Sequence, residues 1–228
     1  MWGKNVPITL DLYGLVHDRR RENWSVKLAA VLESKLIEAG DAARLALGDR
    51  NLVLVGLMGA GKSVIGKLLA QYTGLPFVDT DDEIVAAAQM PITEIFAQYG
   101  EPEFRALESR VVKRVLQDGP QIVSTGGGAF MNDETRENIL HSALSLWLNA
   151  DYDVLWARVS KRSTRPLLQQ PNPQKILRDL MDERYPIYGL ADVSVKSRNA
   201  PKQNVAYDAA KMIEKSGDII ATKQKVSL

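Results

Sequence analysis

Residues 52–74 leave little freedom in how the rest of this chain can fold. An apolar run, Leu52-Val53-Leu54-Val55, has the length and composition of a buried strand. It feeds Gly56-Leu57-Met58-Gly59-Ala60-Gly61-Lys62-Ser63, which satisfies G-x-x-x-x-G-K-[ST] at every fixed position. Ile65, Leu68, Leu69 and Tyr72 then recur at helical spacing, and Gly74 supplies the stop. Glycines let the loop curl so that its N–H groups point inward at phosphate oxygens. The start of the helix adds partial positive charge at the same place. Lys62 can reach β- and γ-phosphates, and the Ser63 hydroxyl can ligate Mg²⁺. Gly59, Ala60, Gly61, Lys62, Ser63 and Val64 therefore form a candidate cradle for a nucleoside triphosphate.

Composition narrows the alternatives. Twenty-nine Lys+Arg against 28 Asp+Glu give a formal net charge of +1, which argues against a nucleic-acid-binding role. The chain has no cysteine, so disulfides, thiolate nucleophiles and Cys-based zinc sites are excluded. Its two histidines, His17 and His141, lack ligand spacing. No stretch approaches the ~20 apolar residues of a membrane span, and the N-terminus has no apolar leader segment. The expectation is a cytoplasmic protein with no membrane or nucleic-acid partner.

Residues 1–50 stand apart as an N-terminal extension. Within them Leu28, Leu32, Leu36 and Ala39 mark one helix face between Trp24 and Leu47, with an interruption expected at Gly40. After the glycine-loop helix, residues 75–78 form a short strand ending in Asp79-Thr80-Asp81. Extended geometry turns the two aspartates to one side. Asp81 or Thr80 can also cap the helix that follows. One helix is expected from Ile92 to Gly100 and a longer one from Glu103 to Gly119. Arg105 and Glu108 lie on the longer one, three apart, and can pair. Residues 121–125 read as a strand entering Gly126-Gly127-Gly128, where a ligand can approach bare backbone. A strand at 144–148, a helix at 153–162, a basic loop from 161 to 173 and a helix from Gln174 to about Arg184 follow. A strand at 192–196 and a helix from Pro201 close the pattern, and 217–228 are a tail. Strands alternating with helices give an α/β fold with a parallel sheet.

Within this frame Asp79, following an apolar strand, can hold Mg²⁺ directly or through water. Asp81 is a candidate general base or hydroxyl anchor. Arg105, Arg165 and Arg184 are candidate anion binders, because guanidinium matches carboxylate and phosphate with paired donors.

Taken in series, GLMGAGKS at 56–63, FVDTD at 77–81, EPEFRALE at 101–108, STGGGA at 124–129, RPLL at 165–168 and ERYPIY at 183–188 resemble the shikimate kinase family. The resemblance covers roughly residues 51–216 and says nothing about the first 50. It implies a three-layer α/β/α P-loop kinase fold with a helical substrate-binding region near 80–110 and a mobile lid near 160–172. It also implies that the chain converts ATP and shikimate to ADP and 3-phosphoshikimate; a monomer is expected. Under it, Lys62, Asp81 and Arg165 are catalytic, while Ser63 and Asp79 hold Mg²⁺. Arg158 contacts adenine, and Asp81, Arg105, Gly126, Gly127, Gly128 and Arg184 bind the substrate, with Glu108 orienting Arg105. Two other readings fit the loop alone: a P-loop kinase for another hydroxy-acid such as gluconate, and a nucleotide-binding module without turnover.

Overall fold

The computed structural model describes residues 12–161, 171–217 and 219, with side chains from residue 30 onward. Helix α1 (Leu12–Leu47) precedes β1 (Asn51–Val55), the glycine loop and α2 (Lys62–Thr73). Then come β2 (Phe77–Asp79), α3 (Thr80–Ala88), α4 (Ile92–Gln117) and β3 (Ile122–Ser124). A 3-10 turn (Ala129–Met131), α5 (Asp133–Ser142), β4 (Ala143–Ala150) and α6 (Tyr152–Val159) follow. The last elements are α7 (Pro173–Tyr188), β5 (Val193–Ser197) and α8 (Lys202–Lys215). The five strands pair in the order β2-β3-β1-β4-β5, all parallel.

This is the expected three-layer α/β fold, and the burial explains why. Every residue of β1 is buried, so the strand must be covered on both faces. That is why it reads as an unbroken apolar run rather than an alternating one. Leu144, Leu146 and Leu148 bring the same cover from β4. β1 lies between β3 and β4, with Leu54 opposite Ser124 on one side and Leu146 on the other. The loops after β1, β2 and β3 therefore open at one edge of the sheet, where ligands bind in folds of this kind.

Several local expectations change. The chain divides into Met1–Lys35 and Leu36–Leu228, so the main folded unit begins ahead of residue 51. Leu36, Ala39, Ala43 and Leu47 are buried in its core, whereas Leu32 is exposed. Gly40 does not interrupt α1: a Cβ there would collide with the Tyr72 carbonyl at the end of α2. Its bare backbone lets two helices touch. Asp79 rather than Asp81 or Thr80 caps α3, accepting from the Asp81 N–H at 3.2 Å. The break expected at Gly100 is present: its φ of 79° and ψ of 177° are not helical, so α4 is two helices that meet at a kink there. α7 runs past Arg184 and Pro186 to Tyr188.

Candidate active site

Residues of the glycine loop line a cleft of about 400 Å³ together with Asp79, Asp81, Ser124, Gly126, Gly127 and Arg158. Gly59 and Gly61 have φ of 82° and 103°, left-handed values that suit a curled phosphate-binding loop. Lys62 Nζ donates to the carbonyls of Gly56 at 2.7 Å and Leu57 at 3.3 Å, which sets its charge over the loop.

Ser63 Oγ donates to Asp79 Oδ2 at 2.8 Å and lies 3.3 Å from Ser124 Oγ. Three hard oxygen donors from α2, β2 and β3 thus meet at the phosphate end of the cleft. They suit Mg²⁺, which takes one or two protein oxygens and completes its shell with water and substrate phosphate. Among the described residues no group of three or more His, Cys, Asp and Glu could hold a metal ion.

The three glycines lie against four charged groups. A Cβ on Gly126 would lie 2.7 Å from Glu108 Oε1 and 2.9 Å from Asp81 Oδ1. Gly127 faces the Met58 N–H of the glycine loop and Arg184 Nη1, at 3.7 and 3.9 Å from its would-be Cβ. A side chain on Gly128 would strike the Arg105 guanidinium, 2.5 Å away at Nη2. Asp81, Arg105 and Arg184 come from three different helices, and this loop gathers them.

Arg105 is held on two sides. Its Nη1 donates to Glu108 Oε2 at 2.6 Å, and its Nη2 and Nε donate to Glu101 Oε1 at 3.1 and 3.3 Å. Burial pushes the Glu108 carboxyl above its ordinary value, outweighing the Arg105 guanidinium beside it. Burial also works against the charge on Arg105, but Glu108 and Glu101 overcome it and hold Arg105 up. The two shifts point opposite ways on whether the pair outweighs burial. We take both groups as charged, with the cost of burial falling on the carboxylate. Glu108 is 2% exposed and Arg105 26%, so only the carboxylate loses nearly all its water.

Arg184 Nη1 donates to the Gly127 carbonyl at 3.3 Å, and the buried Tyr188 hydroxyl donates to the same oxygen. Burial pushes Tyr188 up to about 12, so it stays a donor at neutral pH. Arg158 Nη1 donates to the carbonyls of Gly59 at 3.0 Å and Ala60 at 3.2 Å. Burial lowers its pKa, though a guanidinium stays charged. Arg165 and most of the expected lid lie outside the described residues.

Three further contributors stand beside the candidate residues named from the sequence. Ser124 stands in the STGGGA stretch at a strand end, so its position is legible there. Glu101 sits four residues before Arg105 on one helix, the spacing of an ion pair. Tyr188 lies beyond Pro186, which reads as a helix stop.

The shikimate kinase family model matches residues 58–214. A shikimate kinase of Rhizobium leguminosarum bv. trifolii is 57% identical over 175 residues, covering 76% of this chain and 89% of that protein. One from Rhizobium meliloti is 56% identical over 163 residues, covering 72% and 85%. A solved structure, the shikimate kinase from Acinetobacter baumannii in complex with shikimate, superposes with a TM-score of 0.72 at 30% identity. It covers 76% of this chain and 98% of its own. With a family model that spans residues 58–214 and relatives at this identity, the chain belongs to the shikimate kinase family.

Proposed function

We propose that this chain transfers the γ-phosphoryl group of ATP to the 3-hydroxyl of shikimate, in the cytoplasm. The observation that carries the reading is the Gly126–Gly128 loop, against which Asp81, Arg184 and Arg105 are packed, while Asp81, Gly126 and Gly127 also line the phosphate cleft. That arrangement offers an acid/base group and two guanidiniums to an acceptor that has both a hydroxyl and a carboxylate.

In this mechanism Arg105 and Arg184 clamp the shikimate carboxylate. Asp81 accepts a hydrogen bond from the attacking hydroxyl and takes its proton as the new P–O bond forms. The bond from the γ-phosphorus to the β-phosphate oxygen breaks, and ADP leaves. Lys62 and the loop N–H groups hold the phosphates in line. Ser63 and Asp79 would hold Mg²⁺, which supplies charge neutralisation at the β- and γ-phosphates when bound. By family correspondence Arg165 meets the transferring phosphoryl.

The test is ADP release with Mg·ATP against shikimate, quinate, gluconate and no acceptor. Release stimulated by shikimate is expected. Stimulation by gluconate instead would keep the phosphate site and void the clamp. ATP binding with no stimulation by any acceptor would favour a module without turnover.

A further inference from the structure

One side of the glycine loop is held by a hydrogen-bond network that the transfer chemistry does not use. Ser197, the last residue of β5, is 2% exposed. Its hydroxyl donates to the Ala60 carbonyl at 2.7 Å and accepts from Arg158 Nη1 at 2.9 Å. The same Nη1 also reaches the Gly59 and Ala60 carbonyls, and Nη2 donates to the Arg198 carbonyl at 2.8 Å. The Ala60 carbonyl is thus tied by two donors brought from distant parts of the chain.

We infer that Ser197 is a positioning residue for the nucleotide: its hydroxyl fixes the Ala60–Gly61 peptide so that the Gly61 N–H faces the phosphates. In a planar trans peptide the C=O and N–H point in opposite directions. Arg158 and Ser197 line the cleft beside Gly61, so holding the carbonyl against them turns the Gly61 N–H away from that wall and toward the phosphates. Gly61 sits at φ 103°, and a glycine also adopts negative φ at little cost. The residue that permits the cradle therefore also permits this peptide to flip. Arg158 cannot prevent that alone, since its Nη1 is divided among three acceptors. The serine supplies the shorter bond, in a place where water has little access to replace it.

This inference rests on reading the cleft as an ATP site, and its test is independent of the acceptor. Mg·ATP, ADP and adenosine are titrated calorimetrically into the full chain and into Ser197→Ala, Ser197→Cys and Ser197→Thr. Loss of one buried hydrogen bond should weaken ATP and ADP roughly five- to tenfold in the Ala and Cys variants. Adenosine, which lacks phosphate, should bind unchanged. The Thr variant, which keeps the hydroxyl, should restore phosphate-dependent affinity. Cysteine nearly preserves the volume while offering only a weak donor, so it carries the test if the Ala variant fails to fold. In turnover the KM for ATP should rise while kcat holds within about twofold.

A Cys variant that binds ATP like wild type would overturn the inference. So would an equal loss of adenosine affinity, which would assign Ser197 to the base pocket, or a Thr variant as weak as Ala. A wild-type chain that binds ATP but ignores shikimate would instead overturn the acceptor reading, and the Ser197 comparison would still be decided by the titrations.

Discussion

Replacing Glu108 by Gln keeps the shape of the side chain and removes its charge, and the surroundings of Arg105 set the size of the effect. Arg105 has one buried anionic partner, Glu108 at 2.6 Å, and one exposed partner, Glu101 at 3.1 Å. A charge-assisted hydrogen bond contributes about 1.5–3 kcal/mol. Glu101 and the glutamine amide oxygen retain part of that, so we take about 1.5–2 kcal/mol as the loss in holding Arg105 for its carboxylate. This corresponds to a roughly 10- to 30-fold rise in KM for shikimate at saturating ATP. Stability should change by no more than about 1 kcal/mol. The variant is relieved of burying a carboxylate, and the arginine it leaves is part-exposed and still paired. Burial holds Glu108 above its ordinary value of 4.5, so just above that pH the folded chain binds more protons than the unfolded one. Its contribution to wild-type stability therefore falls as pH rises through that window. The melting temperature of Glu108→Gln relative to wild type should climb across the same window and then level off. Steady-state kinetics and melts in a pH series check both parts. A shikimate KM within about twofold of wild type, or a KM for ATP that rises in step with it, would refute the reasoning.

Three further outcomes follow from the geometry. Asp81→Asn should leave ATP binding by calorimetry nearly intact while lowering turnover by ~100-fold or more, the scale of a positioned acid/base group. Tyr188→Phe removes one of two donors to the Gly127 carbonyl; it should cost about 1 kcal/mol in denaturant melts and raise the KM for shikimate without moving that for ATP. A chain begun at Gly48 loses the buried Leu36, Ala39, Ala43 and Leu47. At about 2–5 kcal/mol per buried leucine, that is comparable with the whole stability of a domain. Its melting temperature should drop by more than about 10 °C, and an unchanged melt would refute the packing.

The features legible in the sequence are those written in local chemistry. The buried strand, the glycine loop and the helix closed by Gly74 announce themselves, because each depends on residues adjacent in the chain. The Arg105–Glu108 pair is visible for the same reason. The N-terminal helix is misjudged from sequence because a glycine within a helix normally weakens it, and the reason for Gly40 lies on another helix, at Tyr72. Asp79 as the cap of α3 is missed because Thr80 and Asp81 are equally good capping types. Tyr188 is hidden by Pro186, which stands in the last turn of α7, where few further helical bonds remain for it to disrupt. Ser197 belongs to no local pattern, since its meaning lies entirely in the Ala60 carbonyl and Arg158, which only the sheet order brings beside it.

The contact between Gly128 and Arg105 bears on how this site could be re-engineered. The guanidinium occupies the space that any side chain at position 128 would need, so the two positions form a single unit of variation. A side chain at 128 can be accommodated only by pushing the flexible end of Arg105 off its seat, so a scan of single substitutions read by the KM for shikimate should find every residue but glycine impaired there while an arginine stands at 105. Shortening Arg105 would open the space at 128, and paired changes should be strongly non-additive. A library seeking an acceptor without a carboxylate should therefore randomise both codons together, because a change at either position alone alters what the other can do.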